Sequence, residues 1–526
     1  MATEKTAALS CILALWASCT LTAWAQDAKP IRIGIVTFLS GPGAGPFGVP
    51  ARNAAVLTFE ALNAGSVPSP YQSKGFGGNS VEMVLLDEAG PVSSVVTQYR
   101  NLVERDIDVV IGYVSSGSCL AVAPVAEELK KLTVFFNCGT PRVFEDSTYR
   151  YVFRTASHAT VENVAAAKYV REMLPGAIRI GGINPNYAWG QDSWKDFESS
   201  MKVLLPGVQT TTSQMPRLFA GQYGPEISTL IGSKPDVIHS SLWGGDLEAF
   251  LLQAAPRNLF KSSQVLLTTG ETLIHRPQVQ IPDGTIIGAR GPHSIFAPDN
   301  ELNRWFKSSY EARYGARPPF TAYHMVQAIL GAKAAYEKAK AAANGKTPNL
   351  DQIAAAFEGL SYETPSGTTR MALGRGHQGI QSMAYGMTRL VAGKLTITNV
   401  RRYAAEEVNP PDGVKSEDWI RAGFARCGGS AFIAAHCPPR APHPTTVTPR
   451  SHAAVPSLSG LLAFARAVRP AERAPATRPS TVPDAKHQRL AAIVLRALEE
   501  RVSQAAAIVG HSHASDVVWF AAIPTR

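Results

Sequence analysis

The chain has 526 residues, 45% of them hydrophobic and 17% charged, a balance that suits a folded globular protein and argues against a disordered one. That length exceeds one small core, so two or three domains are expected. The formal charge of +10 is unevenly placed: twelve basic residues against five acidic lie from Arg426 onward, and 39 against 36 before it. The body is therefore nearly neutral, which gives nucleic-acid binding no electrostatic support.

Residues 1–25 read as a secretory signal. The apolar run CILALWASCTLTAWA ends in Ala23-Trp24-Ala25, a small-x-small pattern with cleavage expected after Ala25. The run is too short and too close to the start for a membrane span, so a soluble, periplasmic mature protein is expected. Next, IRIGIVTFL (31–39) has the apolar, β-branched pattern of a buried strand, and ARNAAVLTFEALNAG (51–65) has helical spacing with Gly65 as a C-cap. VEMVLLDE, SSVVTQYRNLVERD, DVVIGYV, APVAEELKKL and TVFFN continue as strand, helix, strand, helix and strand. Strands separated by helices of this length predict βαβ units and a parallel sheet.

The alternation then restarts: TVENVAAAKYVREML is helical, AIRIGGINP a strand, QDSWKDFESSMKVLL helical. DVIHSSLW, DLEAFLLQAA and QVLLTTG follow as strand, helix and strand. Two long helical stretches come next, then an antiparallel-looking pair, QSMAYGMTRLVAG and KLTITNVRRYAA. Two α/β lobes of similar size are predicted. Residues 426–526 differ in character, with eleven arginines to one lysine and 11 of the 37 prolines. They read as a low-complexity, disordered tail with one possible helix over 485–510.

Several stretches carry candidate chemistry. GPGAGPFG satisfies GxGxxG through Gly43, Gly45 and Gly48 after the first strand. Pro46 in the turn, and Asp87 some 40 residues on rather than about 20, argue against a dinucleotide site and for a βα loop beside a cleft. SSGSC lacks the GxSxG elbow of a hydrolase, and no histidine lies in a recognisable motif. Ser115, Ser116 and Ser118 open a helix, where unpaired N–H groups favour an anion; simple N-capping is the plainer alternative. Cys138 and Thr140 belong to the same sheet rim, because adjacent parallel strands end together. Tyr187, Trp189 and Trp243 stand in polar loops at later strand ends, and Glu271 follows another. Each of these has a bland reading as packing or a solvated loop. Cys119 and Cys138 lie near one rim, where export would permit oxidation; two separate small apolar side chains are the default. No CxxC pair offers a metal site, and no metal or cofactor is expected.

IRIGIVTFLSGPGAGPFG, VVIGYVSSGSCLAVAPVAEE, VFFNCGTPRVF, YVFRTASHATVENVAAAKYV, NYAWGQDS and YETPSG, in this order over about residues 29–424, resemble exported solute-binding proteins of the branched-chain amino-acid type, with the type I periplasmic binding fold. The resemblance implies two Rossmann-like α/β lobes with parallel sheets, joined by three crossovers placed near 154–158, 288–294 and 362–370. Lobe 1 would be 29–156 plus 292–366, and lobe 2 157–291 plus 367–424. It implies a ligand-binding set of Phe47, Ser115, Ser116, Cys138, Thr140, Tyr187, Trp243 and Glu271. The hydroxyl loop would hold a carboxylate. The Cys138 backbone, the Thr140 hydroxyl and Glu271 would hold an ammonium. Gly117 and Trp243 depart from the family's usual serine and tyrosine. The implied function is capture of an amino acid or amide-like solute for an ABC permease by a monomer that is not an enzyme. The alternatives are a ligand sensor for a signalling partner and a secreted serine hydrolase using Ser116 or Ser118.

Overall fold

The computed structural model describes residues 29–425 apart from His275, 277–279 and Gly393. The expected signal segment and the tail from Arg426, with its possible helix, lie outside the described residues.

The first lobe begins with β1 (Ile31–Thr37), whose apolar run is buried on both faces as a central strand requires. It pairs in parallel with β2 (Val81–Asp87) and with β3 (Val109–Gly112), placing Ile33 opposite Met83 and Val109. Parallel β4 (Thr133–Phe135) and β5 (Val152–Arg154) extend the sheet. Helices α1 (Val49–Ala64), α2 (Val92–Val103) and α3 (Ser116–Glu128) are its crossovers. Gly65 closes α1 in the left-handed conformation, φ 70°, which glycine adopts without a Cβ penalty.

The chain enters the second lobe after β5. Helices α4 (Ala159–Met173) and α5 (Ala188–Leu204) pack on each other and flank β6 (Arg179–Ile183). Strand β7 (Gln209–Gln214), helix α6 (Gly224–Ser233), β8 (Val237–Ser240), α7 (Gly245–Ala254), β9 (Gln264–Leu267) and β10 (Ile286–Gly288) complete the parallel part. The chain then returns to the first lobe through α8 (Glu301–Tyr314), α9 (Phe320–Ala342) and α10 (Leu350–Phe357). α9 is buried along most of its length and packs on α1.

The third passage departs from expectation. β11 (Ser361–Thr364), β12 (Gly367–Leu373) and β13 (Gln378–Ile380) form an antiparallel meander whose last strand pairs with β5, giving the first sheet the order β11-β12-β13-β5-β4-β3-β1-β2. Residues 367–380 therefore belong to the first lobe. The crossing lies at Gln381–Ser382, not within 362–370. The position implied by the resemblance falls on the turn at 365–366, which joins two paired strands. The second sheet, β15-β14-β10-β9-β8-β6-β7, gains β14 (Met383–Val391) and β15 (Lys394–Tyr403), an antiparallel pair. β7 was not anticipated. Its sequence, QTTTSQ, lacks the apolar alternation that marks a strand, because it is a sheet edge with exposed positions.

Candidate functional site

The rims of the two parallel sheets meet where the three passages cross. In the first lobe, the loop after β1 folds Phe47 inward through a wide helical turn, Ala44–Gly48. A Cβ on Gly48 would lie 1.7 Å from the Phe38 carbonyl oxygen, so close approach explains that glycine without any phosphate. Asp87 accepts hydrogen bonds from the Leu39 and Ala89 N–H groups and the Ser40 hydroxyl, so it organises this loop.

Aromatic rings from both lobes gather here. Phe47 lies 5.0 Å from Trp243 and 5.4 Å from Phe320, measured between ring centroids. Trp243, fully buried after β8, also meets Phe38 at 5.9 Å, Phe219 at 5.1 Å and Tyr187 at 6.5 Å. Of the predicted residues, Phe47, Tyr187 and Trp243 thus share one wall. Burial raises the Tyr187 phenol, with Arg290 opposing that rise.

The serine rim is built differently from its expectation. Glu88, which follows β2 and is buried, accepts hydrogen bonds from the Val114 and Ser115 N–H groups at 2.7 and 2.8 Å. It therefore braces the loop just before α3, beside the place where a ligand carboxylate was expected. Burial pushes its carboxyl up to about 7, against the lowering effect of those N–H groups and the Ser118 hydroxyl. The Ser116 hydroxyl is also engaged: its oxygen accepts from the Gly139 and Thr140 N–H groups, both at 3.1 Å, and ties the β3 rim to the β4 rim. Cys138 forms a disulfide with Cys119, with Cα atoms 6.5 Å apart. The Thr140 hydroxyl donates across the lobes to Asp192 at 2.6 Å, and Arg142 pairs with the same carboxylate. Glu271, fully buried, accepts from the Phe320 N–H at 3.1 Å and so contacts the start of α9.

A charged cluster at the passages carried no motif. Arg290, 4% exposed, follows β10 and donates from Nε to Glu162 on α4 at 2.8 Å. Its Nη1 donates to the Asn137 carbonyl and side-chain oxygens. The guanidinium lies 4.8 Å over the Trp189 ring, and the Trp189 indole N–H donates to the other Glu162 oxygen. Burial raises the Glu162 carboxyl and Arg290 opposes it. One signal was available: Glu162 stands in the first turn of an alanine-rich helix, among residues that are buried. The hydrogen bonds of His239, His293, His324 and His377 go to Asn163, Ser366, Asn137 and Val152, none of them to Ser116 or Ser118. Among the described residues, no group of three or more His, Cys, Asp or Glu could hold a metal ion, and no helix is long and apolar enough to cross a membrane.

Comparison with known proteins agrees with this architecture. The family described as periplasmic binding protein matches residues 30–393. A curated relative, the Leu/Ile/Val-binding protein BraC3 of Rhizobium johnstonii, is 24% identical over 235 residues. That match covers 41% of this chain and 61% of the relative, so the chain spans about three-fifths of that protein's length. A solute-binding protein of an ABC transporter from Rhodopseudomonas palustris, solved with benzoate, superposes with a TM-score of 0.63 at 20% identity, over 73% of this chain and 99% of that one. A leucine-, isoleucine-, valine-, threonine- and alanine-binding protein from Brucella ovis, in a closed conformation, gives 0.61 at 19% identity, over 73% and 97%.

Proposed function

Because the chain belongs to the periplasmic binding protein family, we propose that it is an exported receptor that traps a small solute between its lobes and presents it to an ABC permease. The observation that carries this reading is the aromatic wall shared between lobes, with Phe38, Phe47 and Phe320 on one side and Tyr187, Phe219 and Trp243 on the other. Such a wall favours a solute with a flat, apolar body. Closure then follows if the solute binds the closed form better than the open one, because equal affinity shifts nothing. Thr140, Arg142 and Asp192 supply contacts between the lobes. Ser115, Ser116 and the Cys138 disulfide support the rim behind the wall.

An amino-acid solute is the second reading. The Rhizobium and Brucella relatives favour it, as does a buried glutamate, Glu271, at the lobe boundary. Glu271 already accepts from Phe320, so an ammonium would have to share that carboxylate. The benzoate-bound relative and the aromatic wall favour the first reading. A thermal-shift panel of branched-chain amino acids, their amides and aromatic acids separates them, since a tight ligand raises the melting temperature by mass action. Stabilisation by aromatic acids alone is expected. Stabilisation by leucine or valine alone would select the second reading.

A further inference from the structure

The cluster behind the aromatic wall has buried donors to spare, Arg290 Nη2 and Asn137 Nδ2 among them. Arg290 uses Nε on Glu162 and Nη1 on Asn137, while Nη2 has no hydrogen-bond partner among the described residues. A buried guanidinium donor left unmatched is costly, which makes it a marker for something it is built to receive. The direction of Nη2 is fixed by its neighbours. A Cβ on Gly139 would lie 2.5 Å from Nη2 and 2.5 Å from the Trp189 ring, so the bare glycine backbone of the β4 rim faces it. Phe320, which meets Phe47, lies 5.9 Å from the guanidinium. Nη2 is thus bounded by the rim that carries Cys138 and Thr140 and by two flat rings.

Charge points the same way. A second buried cation, Arg154, donates only to neutral acceptors: the Gln378 side chain and the Cys138 and Thr140 carbonyls. Asp192 is paired with Arg142. Glu145, the other carboxylate near Arg154, accepts from Ser416, and burial pushes its pKa up. Among the described residues Arg290 is ion-paired with Glu162, while Arg154 has no ion-paired carboxylate of its own. Uncompensated buried charge is unfavourable, and an anionic ligand would offset it. The backbone at Arg290 is held at φ 51°, a conformation that non-glycine residues adopt mainly where surroundings enforce it.

We infer that Arg290 is the anion anchor of the cleft, receiving through Nη2 the carboxylate of a small planar acid whose body lies against the aromatic wall. This deepens the receptor reading above and rests on it. The test is calorimetric titration of the mature chain with benzoate, 4-hydroxybenzoate, their amides and leucine. For the wild type, acids should bind at least about 30-fold tighter than amides, the low end for leaving a buried charge partner unmatched. Arg290→Gln should lose most of that preference, its acid affinity falling to within about threefold of its own amide affinity. An Arg290→Gln protein that keeps the acid preference overturns the inference. Should the variant fail to fold, the wild-type ratio decides, and equal binding of acid and amide overturns it. Binding of leucine with no binding of the aromatic acids sinks the anchor but leaves the receptor. If nothing in the panel binds, both fall.

Discussion

The serine rim at the start of α3 and the arginine cluster at the second passage both lie at strand ends near the lobe boundary, yet they treat charge in opposite ways. At the rim, two N–H groups of the loop just before the helix hold a carboxyl of the chain itself, Glu88, and the Ser116 hydroxyl is tied to two backbone N–H groups. At the passage, Arg290 holds Glu162 and retains a buried donor. A helix N-terminus attracts an anion whatever its source, so the presence of such a terminus says little until the neighbouring strand ends are known. A surplus donor on a buried guanidinium costs more than one on a neutral group, because a charged donor left without a partner loses more of its solvation.

The sharpest way to break this contrast is to truncate the two carboxylates in parallel. Glu162→Ala leaves Arg290 and the Trp189 N–H without their main partner inside the protein. It should cost about 3–5 kcal/mol in urea unfolding at neutral pH. Glu88→Ala leaves neutral backbone donors, so a smaller loss of about 1–3 kcal/mol is expected. Equal losses would show that the two regions are not built differently.

The rim's rigidity can be probed next. The Cys119–Cys138 disulfide has a sequence separation of 19. Loop-closure entropy for a ring of that size corresponds to about 3 kcal/mol of stability. The Cys119→Ser, Cys138→Ser double variant should unfold at correspondingly lower urea, with solute affinity reduced less than stability. A variant as stable as the parent would remove the disulfide from the account of the rim.

The gentlest test is pH. Burial pushes the Glu88 carboxyl up to about 7 in the folded chain, from its ordinary value of 4.5. Between those limits the folded chain holds a proton that the unfolded chain has released. Stability from this group is therefore full below about 4.5 and is lost as pH rises to 7, a contribution of about 1–3 kcal/mol. Subtracting the Glu88→Gln profile from the wild-type profile should isolate that decline. A flat difference would mean that the N–H groups of the rim hold Glu88 ionised throughout, as at an ordinary helix start.

Much of the architecture was legible in the chain because it rests on local periodicity. The β-branched runs that became β1, β3 and β8, the helices between them, and the aromatic residues at the strand ends all follow from patterns a few residues long. Tyr187 and Trp243 stood out as aromatic residues at strand ends, Phe47 came from the family resemblance, and the structure brings the three rings together. What the chain could not announce was pairing between distant segments. β7 and the β11–β13 meander lack apolar alternation or length. The meander's place in the first sheet depends on β13 meeting β5, more than 220 residues earlier. The internal partners of Ser116, Thr140 and Glu271 were not legible for the same reason: each comes from another loop or lobe, namely Gly139, Asp192 and Phe320. Glu88, Glu162 and Arg290 sit in stretches with no motif, 74 and 128 residues apart along the chain, and only folding brings their charges into one low-dielectric region. Local sequence sets which elements form, because propensity and periodicity act over one or two turns. Which polar group remains without a partner is decided by the whole tertiary structure, because hydrogen-bond satisfaction is a property of every neighbour at once.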